Sequence, residues 1–275
     1  MADHDLHGFE RSSFEARGKR RDVLRAGTGP AVIVIAEMPG ITPKVLEFAQ
    51  RVVGIGCSAV LPVLFGKPGR DPNPEAHGMA RSAAYLLSSL VPACVSREFV
   101  VWATGRTSPV VAWLRDLAEA EHERCGGPGV GAVGMCFTGG FALAMAADAR
   151  IVAPVLSQPS LPIAATAKQR SSIDISGADL EAVEGRCARG ELQIVGLRFK
   201  SDRNVPTERF EFLREHLGEA FVAVELEDAD ANPDAAMKPH SVLTEHLIDR
   251  GGEPTRDALD LVLQLFKDRL LPDPD

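Results

Sequence analysis

Three residues that can together carry out nucleophilic acyl transfer occur along this chain in the order Cys136, Asp202 and His240. A thiol with an ordinary pKa of about 8.5 is mostly protonated at neutral pH, so a neighbouring imidazole that takes its proton makes a thiolate available. His240 is the candidate for that base. Asp202 would hold the imidazole in the correct tautomer and stabilise its cation. The three residues predict a Cys-His-Asp triad that works through an acyl-enzyme intermediate.

The segment around Cys136 has the pattern of a strand, a sharp turn and a helix. Small and apolar residues at 131–135 precede the cysteine, and a run rich in Ala, Leu and Met follows it. A thiolate at such a turn lies at the N-terminal end of a helix, whose free N–H groups favour an anion. Gly134 and Gly139 carry no side chain where these segments would pack. The alternative is that Cys136 is a small buried hydrophobic residue in a glycine-rich turn.

The acid and the base each have a competing interpretation. Asp202 precedes Pro206, and an aspartate in such a place is often only a turn and helix cap. His246 is the alternative base, but we interpret it as a surface histidine on a short helix. His240 is preferred because it follows Lys238 and Pro239 in a loop that is free to reach the site. We therefore expect replacement of His246 to do little.

Attack on a carbonyl produces an oxyanion, which needs two hydrogen-bond donors aimed at it. The backbone N–H of Phe137, which follows the nucleophile, and that of Met38, after the first buried strand, are suitable. The neighbouring Glu37 follows the C-terminal end of that strand, at the edge where open α/β sheets bind ligands. Glu37 is therefore a candidate site residue, and the alternative is a solvated loop carboxylate.

Apolar runs predict a series of strands and helices. The predicted strands cover residues 22–25, 31–36, 58–65, 131–135, 151–156, 193–199 and 220–226. The predicted helices cover residues 43–53, 76–90, 109–123, 207–217 and 255–270, with one more after Cys136. Such alternation implies a mostly parallel sheet with helices on both faces. We predict an α/β fold in one domain over residues 1–275, with residues 1–20 as a flexible N-terminal extension.

Two connecting segments are expected near the site. Residues 66–74 are rich in Gly and Pro and are predicted as a loop that overhangs it. Residues 157–190 have weak periodicity and are predicted as an excursion on the surface that lines the substrate cleft. For residues 99–102 the periodicity does not distinguish a strand from a helix.

Composition argues against several other classes of protein. The net charge of −8 and the pI of about 5.4, without a basic stripe, argue against nucleic-acid binding. No apolar run is long enough to span a bilayer, and residues 1–16 lack the hydrophobic region of a secretory signal. Five cysteines show no CxxC pair or metal-ligand spacing, and their odd number disfavours a disulfide framework. We expect a cytoplasmic monomer or small homo-oligomer that acts on a small molecule without cofactor or metal.

The order nucleophile, acid, histidine is found in α/β-hydrolases. Within that fold the chain resembles the dienelactone hydrolases, a family with a Cys-Asp-His triad, across roughly residues 31–270. The resemblance rests on residues 32–40 with Glu37, on residues 134–137, on Asp202 with the following Val205 and Pro206, and on His240 with Ser241. It implies an α/β-hydrolase fold and hydrolysis of a small ester or lactone. It also implies that Glu37 contacts the nucleophile and keeps it quiet until substrate displaces the carboxylate.

Two positions depart from the family pattern. Thr138 stands where the family usually has glycine. Thr244, four residues after His240, stands where the family often has an arginine that binds the substrate carboxylate, which leaves Arg81 as a candidate for that role. We therefore predict a preference for neutral or differently anchored esters and lactones. The competing hypothesis is a non-catalytic ligand-binding or redox-sensing protein with a reversibly oxidised Cys136, but the intact order of thiol, acid and imidazole favours catalysis.

Overall fold

The computed structural model describes residues 6, 8–72 and 78–271. Its strands are β1 Glu10–Ala16, β2 Lys19–Ala26, β3 Ala31–Ile35, β4 Ser58–Pro62, β5 Val130–Met135, β6 Ile151–Ser157, β7 Ile194–Phe199 and β8 Phe221–Leu226. They form one sheet in the order β1-β2-β4-β3-β5-β6-β7-β8. The pairs β1/β2 and β2/β4 are antiparallel, and the other neighbours are parallel. The predicted mostly parallel sheet is confirmed.

Helices cover both faces of this sheet. They are α1 Pro43–Gly54, α2 Met79–Val95, α3 Val110–Cys125, α4 Gly139–Met145, α5 Ala167–Arg170, α6 Gly177–Ala188, α7 Thr207–Leu217 and α8 Pro254–Leu270. Apolar residues of α1 and α8 pack in one buried cluster, and those of α3, α4, α6 and α7 pack in a second. Within the described ranges, none of these helices is long and apolar enough to cross a membrane.

Strand β3 shows why the central runs of the sequence are apolar at every position. Val32 and Val34 point into the cluster with α1 and α8, whereas Ile33 and Ile35 point into the other cluster. All four side chains are fully buried. A strand covered on both faces needs apolar residues without alternation, which is the pattern expected for a central parallel strand.

The N-terminal part of the chain differs from the sequence prediction. Residues 10–20 were expected in a flexible extension, but β1 and β2 form a hairpin with the register Glu10↔Arg25 to Ala16↔Lys19. Most residues of β1 are exposed, so the apolar alternation that would indicate a strand is absent. β1 is instead held by its backbone pairing with β2 along one edge. Residues 1–5 and 7 of the expected extension lie outside the described residues.

The other elements agree with their predicted positions, with shifted ends. The helix expected at residues 76–90 is Met79–Val95, and residues 76–77 and the end of the loop predicted at 66–74 lie outside the described residues. Residues 99–102 form neither a strand nor a helix. Thr42 caps α1 as expected, because its side chain accepts a hydrogen bond from the N–H of Val45.

One buried arginine makes many of the contacts that hold the segment at residues 157–190, which was expected on the surface. Arg209 of α7 is fully buried, and burial lowers the pKa of its guanidinium to about 10. That guanidinium donates hydrogen bonds of 2.6–3.2 Å to the carbonyls of Pro159, Pro162, Gln169, Ser172 and Asn204. The segment also contains α5 and α6 and several buried side chains. The surface interpretation is therefore wrong for residues 157–162 and 172–175, which are mostly buried, whereas residues 163–171, which include α5, lie at the surface as expected.

Asp174, in the same segment, is a buried carboxyl group. Burial raises its pKa to about 7, although Ser108 donates to it from its N–H at 3.0 Å and from its hydroxyl at 2.5 Å. The folded protein therefore holds a proton on Asp174 at pH values where the unfolded chain has released it. Between the usual value of 3.8 and about 7, the unfolded state binds fewer protons, so stability falls as the pH rises.

We expect Asp174→Asn to stabilise the protein at pH 8 by about 1–3 kcal/mol and to change its stability by less than about 1 kcal/mol at pH 4. The asparagine does not ionise, so it avoids the cost of a buried charge and keeps an acceptor for the Ser108 N–H. Urea unfolding of both proteins at the two pH values measures the difference. Equal effects of the substitution at pH 4 and pH 8 would contradict the raised pKa.

Candidate active site

The turn after β5 presents Cys136 in a strained conformation. Its φ is +53°, in the left-handed region that non-glycine residues rarely occupy. It begins a single 3-10 turn that leads into α4. A Cβ at Gly134 would collide with the carbonyl of Thr138, and one at Gly139 would collide with the backbone of Pro159. The expected strand–turn–helix and its need for these two glycines are confirmed.

The structure brings the three residues of the predicted triad together. His240 Nδ1 lies 2.5 Å from Asp202 Oδ2, and the Cys136 side chain is close enough to the His240 ring to raise its pKa. Both Asp202 and His240 are buried. Asp202 also accepts the N–H of Asn204 at 2.9 Å, so it closes a turn as well as holding the histidine. The turn of the competing interpretation is therefore present, but Asp202 does not cap α7, whose N-cap is Pro206. The role of Asp202 as the triad acid stays a prediction.

Charge around His240 favours its cation. Burial acts to lower the pKa of this imidazole, but the neighbouring Cys136 sulfur and the Asp202 carboxylate outweigh burial and raise that pKa well above its usual value. The arrangement thus suits an imidazole that takes up and holds a proton.

Ser160 is a site residue that sequence reasoning missed. Its N–H donates to the carbonyl of Cys136 at 2.9 Å, and its hydroxyl lies 3.6 Å from Cys136 Sγ. The hydroxyl can donate to a thiolate, which would stabilise the negative sulfur. Ser160 lies in the weakly periodic segment at residues 157–190, and no motif in the sequence distinguishes it from the other serines there.

The two predicted oxyanion donors lie at the same edge of the sheet. Strands β3 and β5 are adjacent and parallel, with Ile35 paired to Gly134. Met38 follows Ile35 by three positions, and Phe137 follows Gly134 by three positions. Phe137 is the second residue of the 3-10 turn, so its N–H has no acceptor within that turn. The register therefore places both backbone segments beside Cys136.

Glu37 lies at this edge too, but its contacts differ from those implied by the family resemblance. It is buried, so the solvated-loop interpretation is wrong. Its carboxylate accepts the hydroxyls of Ser241 at 2.6 Å and Thr244 at 2.5 Å, and the amide of Gln158 at 3.2 Å. No hydrogen bond joins Glu37 to Cys136 among the described residues. The hydrogen bonds of the carboxylate therefore go to Ser241, Thr244 and Gln158 and not to Cys136.

His246 is buried, and the interpretation of it as a surface histidine on a short helix is wrong. Its ring is 1% exposed, and the segment around it is a turn. Its Nδ1 accepts the N–H groups of Ser241 at 3.1 Å and His240 at 3.4 Å, while its Nε2 donates to the carbonyl of Met237 at 3.1 Å. Burial lowers its pKa. With both nitrogens occupied by the backbone, His246 has no free nitrogen to act as the base.

Comparison with known proteins agrees with this geometry. The sequence profile of the dienelactone hydrolase family matches residues 22–183, which is more than half of the chain. The chain belongs to the dienelactone hydrolase family. The resemblance noted from the sequence motifs is thereby confirmed. Membership of this family supports hydrolase activity and the α/β-hydrolase fold for this chain.

Solved structures share the fold at low sequence identity. A protein from Klebsiella pneumoniae subsp. pneumoniae MGH 78578, assigned as a dienelactone hydrolase, is 19% identical with a TM-score of 0.55, over 94% of this chain and 97% of its own. A dienelactone hydrolase-like promiscuous phosphotriesterase from metagenomic libraries is 15% identical with a TM-score of 0.57, over 95% and 98%. The thioesterase domain of the curacin biosynthetic pathway is 11% identical with a TM-score of 0.54, over 94% and 99%. No curated protein matches the chain in sequence.

Thr138 replaces the usual glycine of the dienelactone hydrolase pattern and has a definite role here. Its side chain is fully buried and donates to the carbonyl of Ile35 at 2.7 Å. The same hydroxyl accepts the N–H of Met135 at 2.9 Å. It therefore ties the end of β3 to the end of β5, immediately beside the turn that carries Cys136.

The two positions considered for a substrate carboxylate also differ from the dienelactone hydrolase pattern. Thr244 stands in place of the arginine after the histidine, and it gives Glu37 a hydroxyl instead of a cation. Arg81 is exposed on the first turn of α2, and within the described part of the chain no hydrogen bond or ion pair to it is found. The same part contains no group of three or more His, Cys, Asp or Glu side chains able to hold a metal ion.

Proposed function

We propose that this protein is a cysteine-dependent hydrolase of small neutral esters or lactones. The observation that carries the proposal is the Asp202–His240 hydrogen bond beside Cys136, which lies at a turn whose φ is +53° and raises the pKa of His240. Family membership supports a hydrolase in general. The roles of the individual residues and the class of substrate are our proposal.

In the first step the Cys136 thiolate attacks the carbonyl carbon of the substrate. The carbonyl π electrons move to oxygen, and the N–H groups of Met38 and Phe137 donate to the resulting oxyanion. When the tetrahedral intermediate collapses, the carbon–oxygen bond to the leaving group breaks and the His240 imidazolium gives its proton to the departing alkoxide. The product is a thioester between the acyl group and Cys136. With a lactone, the released alcohol remains part of the same acyl chain.

Water completes the reaction. The neutral His240 removes a proton from a water molecule, whose oxygen attacks the thioester carbonyl while the same two N–H groups hold the oxyanion. Collapse breaks the carbon–sulfur bond, releases the acid and restores the thiolate beside the imidazolium. Asp202 stabilises that cation and keeps Nδ1 of the ring oriented throughout the cycle.

The surroundings of Cys136 favour a neutral, apolar acyl group. The Phe137 ring lies 5.5 Å from that of Phe65 and 5.4 Å from that of Phe99, so aromatic surface adjoins the nucleophile. Glu37 contributes a carboxylate close by, and Thr244 supplies no positive charge. A carboxylated substrate would therefore meet an anion without a charge-assisted partner.

We expect the protein to hydrolyse a neutral ester or lactone at least about tenfold faster than its carboxylated analogue in kcat/KM, a difference of about 1.4 kcal/mol. The reason is the missing cation at Thr244. A panel in which each neutral aryl ester or lactone is paired with its carboxylated analogue measures the ratio. Short aryl esters come first, because their release of a coloured alcohol also reports the acylation step.

Each result of this panel has a defined meaning. A tenfold preference for the carboxylated member contradicts the inference from Thr244, and loss of that preference in Arg81→Ala would assign the binding role to Arg81. A panel without turnover, in a protein whose Cys136 oxidises and is reduced readily, contradicts hydrolysis and favours the redox-sensing function.

A further inference from the structure

The loop that carries the proposed base is fastened by the ring of a second histidine. Residues 237–245 form turns and irregular backbone, without a helix or strand. The His246 ring joins the carbonyl of Met237 to the N–H groups of His240 and Ser241, which follow it by three and four residues. The N–H of His246 also donates to the Ser241 carbonyl at 3.0 Å. The His246 ring therefore cross-links the two ends of the loop and fixes the backbone at His240.

We propose that His246 is a positioning residue that holds His240 in reach of both Cys136 and Asp202, which reverses the sequence-based expectation that its replacement does little. This inference rests on the proposed function, because it assigns His240 as the base. His246 acts through backbone, since its two ring nitrogens are bonded to the loop and not to the reacting groups. A displacement of a base by about 1 Å is sufficient to lower a rate about 100-fold.

The contacts of the ring define its protonation state. Nδ1 faces two N–H donors and must accept, so the hydrogen lies on Nε2, which donates to Met237. A second proton on Nδ1 would point at those two N–H groups, and the ring is buried besides. The Phe199 ring packs edge-on against it at 5.8 Å. The neutral imidazole is thus a fixed acceptor, and the acceptor is the feature that orients the loop.

The opposite side of the loop is held by Glu37. The Ser241 hydroxyl donates to Glu37, so the residue after the base is bonded through its backbone to His246 and through its side chain to Glu37. His240 itself has only one backbone tie to a side chain among those described, and that tie is His246 Nδ1. Removing the acceptor should therefore release His240 while Glu37 still holds Ser241.

Two substitutions separate this role from general support of the fold. His246→Leu replaces the imidazole ring with an apolar side chain of similar bulk and so removes the hydrogen-bond acceptor. His246→Asn places an amide oxygen close to the position of Nδ1 and so retains an acceptor for the His240 and Ser241 N–H groups. We expect the leucine variant to lose about 100-fold in kcat per active thiol with KM changed by less than about threefold. The asparagine variant should recover to within about tenfold of wild type.

A second readout needs no substrate. The Nδ1 proton that His240 shares with Asp202 over 2.5 Å should give a far-downfield proton NMR signal in the wild type. We expect that signal to remain in His246→Asn and to disappear or move strongly upfield in His246→Leu. Counting active thiols by titration removes any unfolded fraction from the kinetic comparison, and the NMR signal reports the orientation of His240 directly.

His216→Leu is the matched control. His216 is a partly exposed histidine of α7 with its own partner, Glu184 at 2.5 Å, and it lies outside the site. It should leave kcat and the downfield signal unchanged. The positioning role is overturned if His246→Leu keeps the signal and its kcat, or if His246→Asn is impaired as much as His246→Leu. A wild type that shows the signal without turnover contradicts the proposed function alone, and the behaviour of the signal in the two variants then decides the role of His246.

Discussion

Replacement of Cys136 by alanine is expected to lower kcat for aryl ester hydrolysis by roughly four to six orders of magnitude, to the level left by binding and the oxyanion donors. The variant has no atom that can form the thioester, and the His240 cation loses its anionic neighbour. Steady-state release of the aryl alcohol measures the loss. The stoichiometric burst that reports acylation should disappear at the same time.

Cys125→Ala provides the matched control for this experiment. Cys125 is also a free, partly buried cysteine, but it is the last residue of α3, away from the turn that carries Cys136. Its replacement should leave both kcat and the burst unchanged. Wild-type turnover in Cys136→Ala, or an equal loss in Cys125→Ala, would show that Cys136 is not the nucleophile.

Asp202→Asn is expected to lower kcat by about 10⁴-fold while the fold survives. An asparagine can turn its amide N–H towards Nδ1, which favours the tautomer with its hydrogen on the nitrogen that must accept a proton. It also lacks the charge that helps to raise the pKa of His240. The substitution should therefore lower that pKa, so the imidazolium loses its proton at a lower pH than in the wild type.

The pH dependence of kcat/KM measures the effect of the substitution on the reaction, and an NMR titration of His240 measures the expected fall in its pKa. The alkaline limb that reports loss of the imidazolium should move to lower pH in Asp202→Asn. Asp234→Asn, an exposed aspartate in the chain before His240, is the control and should change neither quantity. An unchanged pKa of His240 in Asp202→Asn would contradict the electrostatic role assigned to the carboxylate.

Most of the fold was predictable from the sequence because its central strands and helices have strong local patterns. Strand β3 is apolar at each position since both of its faces are covered, and α8 has apolar residues at helical spacing. The turn at Cys136 was predictable for a related reason: the glycines at 134 and 139 occupy places where a side chain would collide with backbone. The β1 hairpin was not predictable in this way, because its exposed residues leave no apolar period.

The candidate site also contains some residues that the sequence predicted and others that it did not. Cys136, Asp202 and His240 each have a local setting that distinguishes them, and their order along the chain indicates their roles. Ser160 and the partners of Glu37 have no such setting. Their importance comes from contacts between residues far apart in sequence, and Glu37 and Thr244 are separated by 207 positions.

The sequence by itself therefore determined the class of fold, the turn that presents Cys136 and the three candidate residues of the site. Those features depend on local propensity and on periodicity, which neighbouring residues specify together. The tertiary structure alone decided that His246 is a buried acceptor, that Glu37 bonds to Thr244 instead of Cys136, and that Arg209 secures the segment beside the site. The role of a polar side chain depends on the hydrogen-bond donors and acceptors that folding brings next to it. Because those partners are distant in sequence, local sequence patterns do not reveal them.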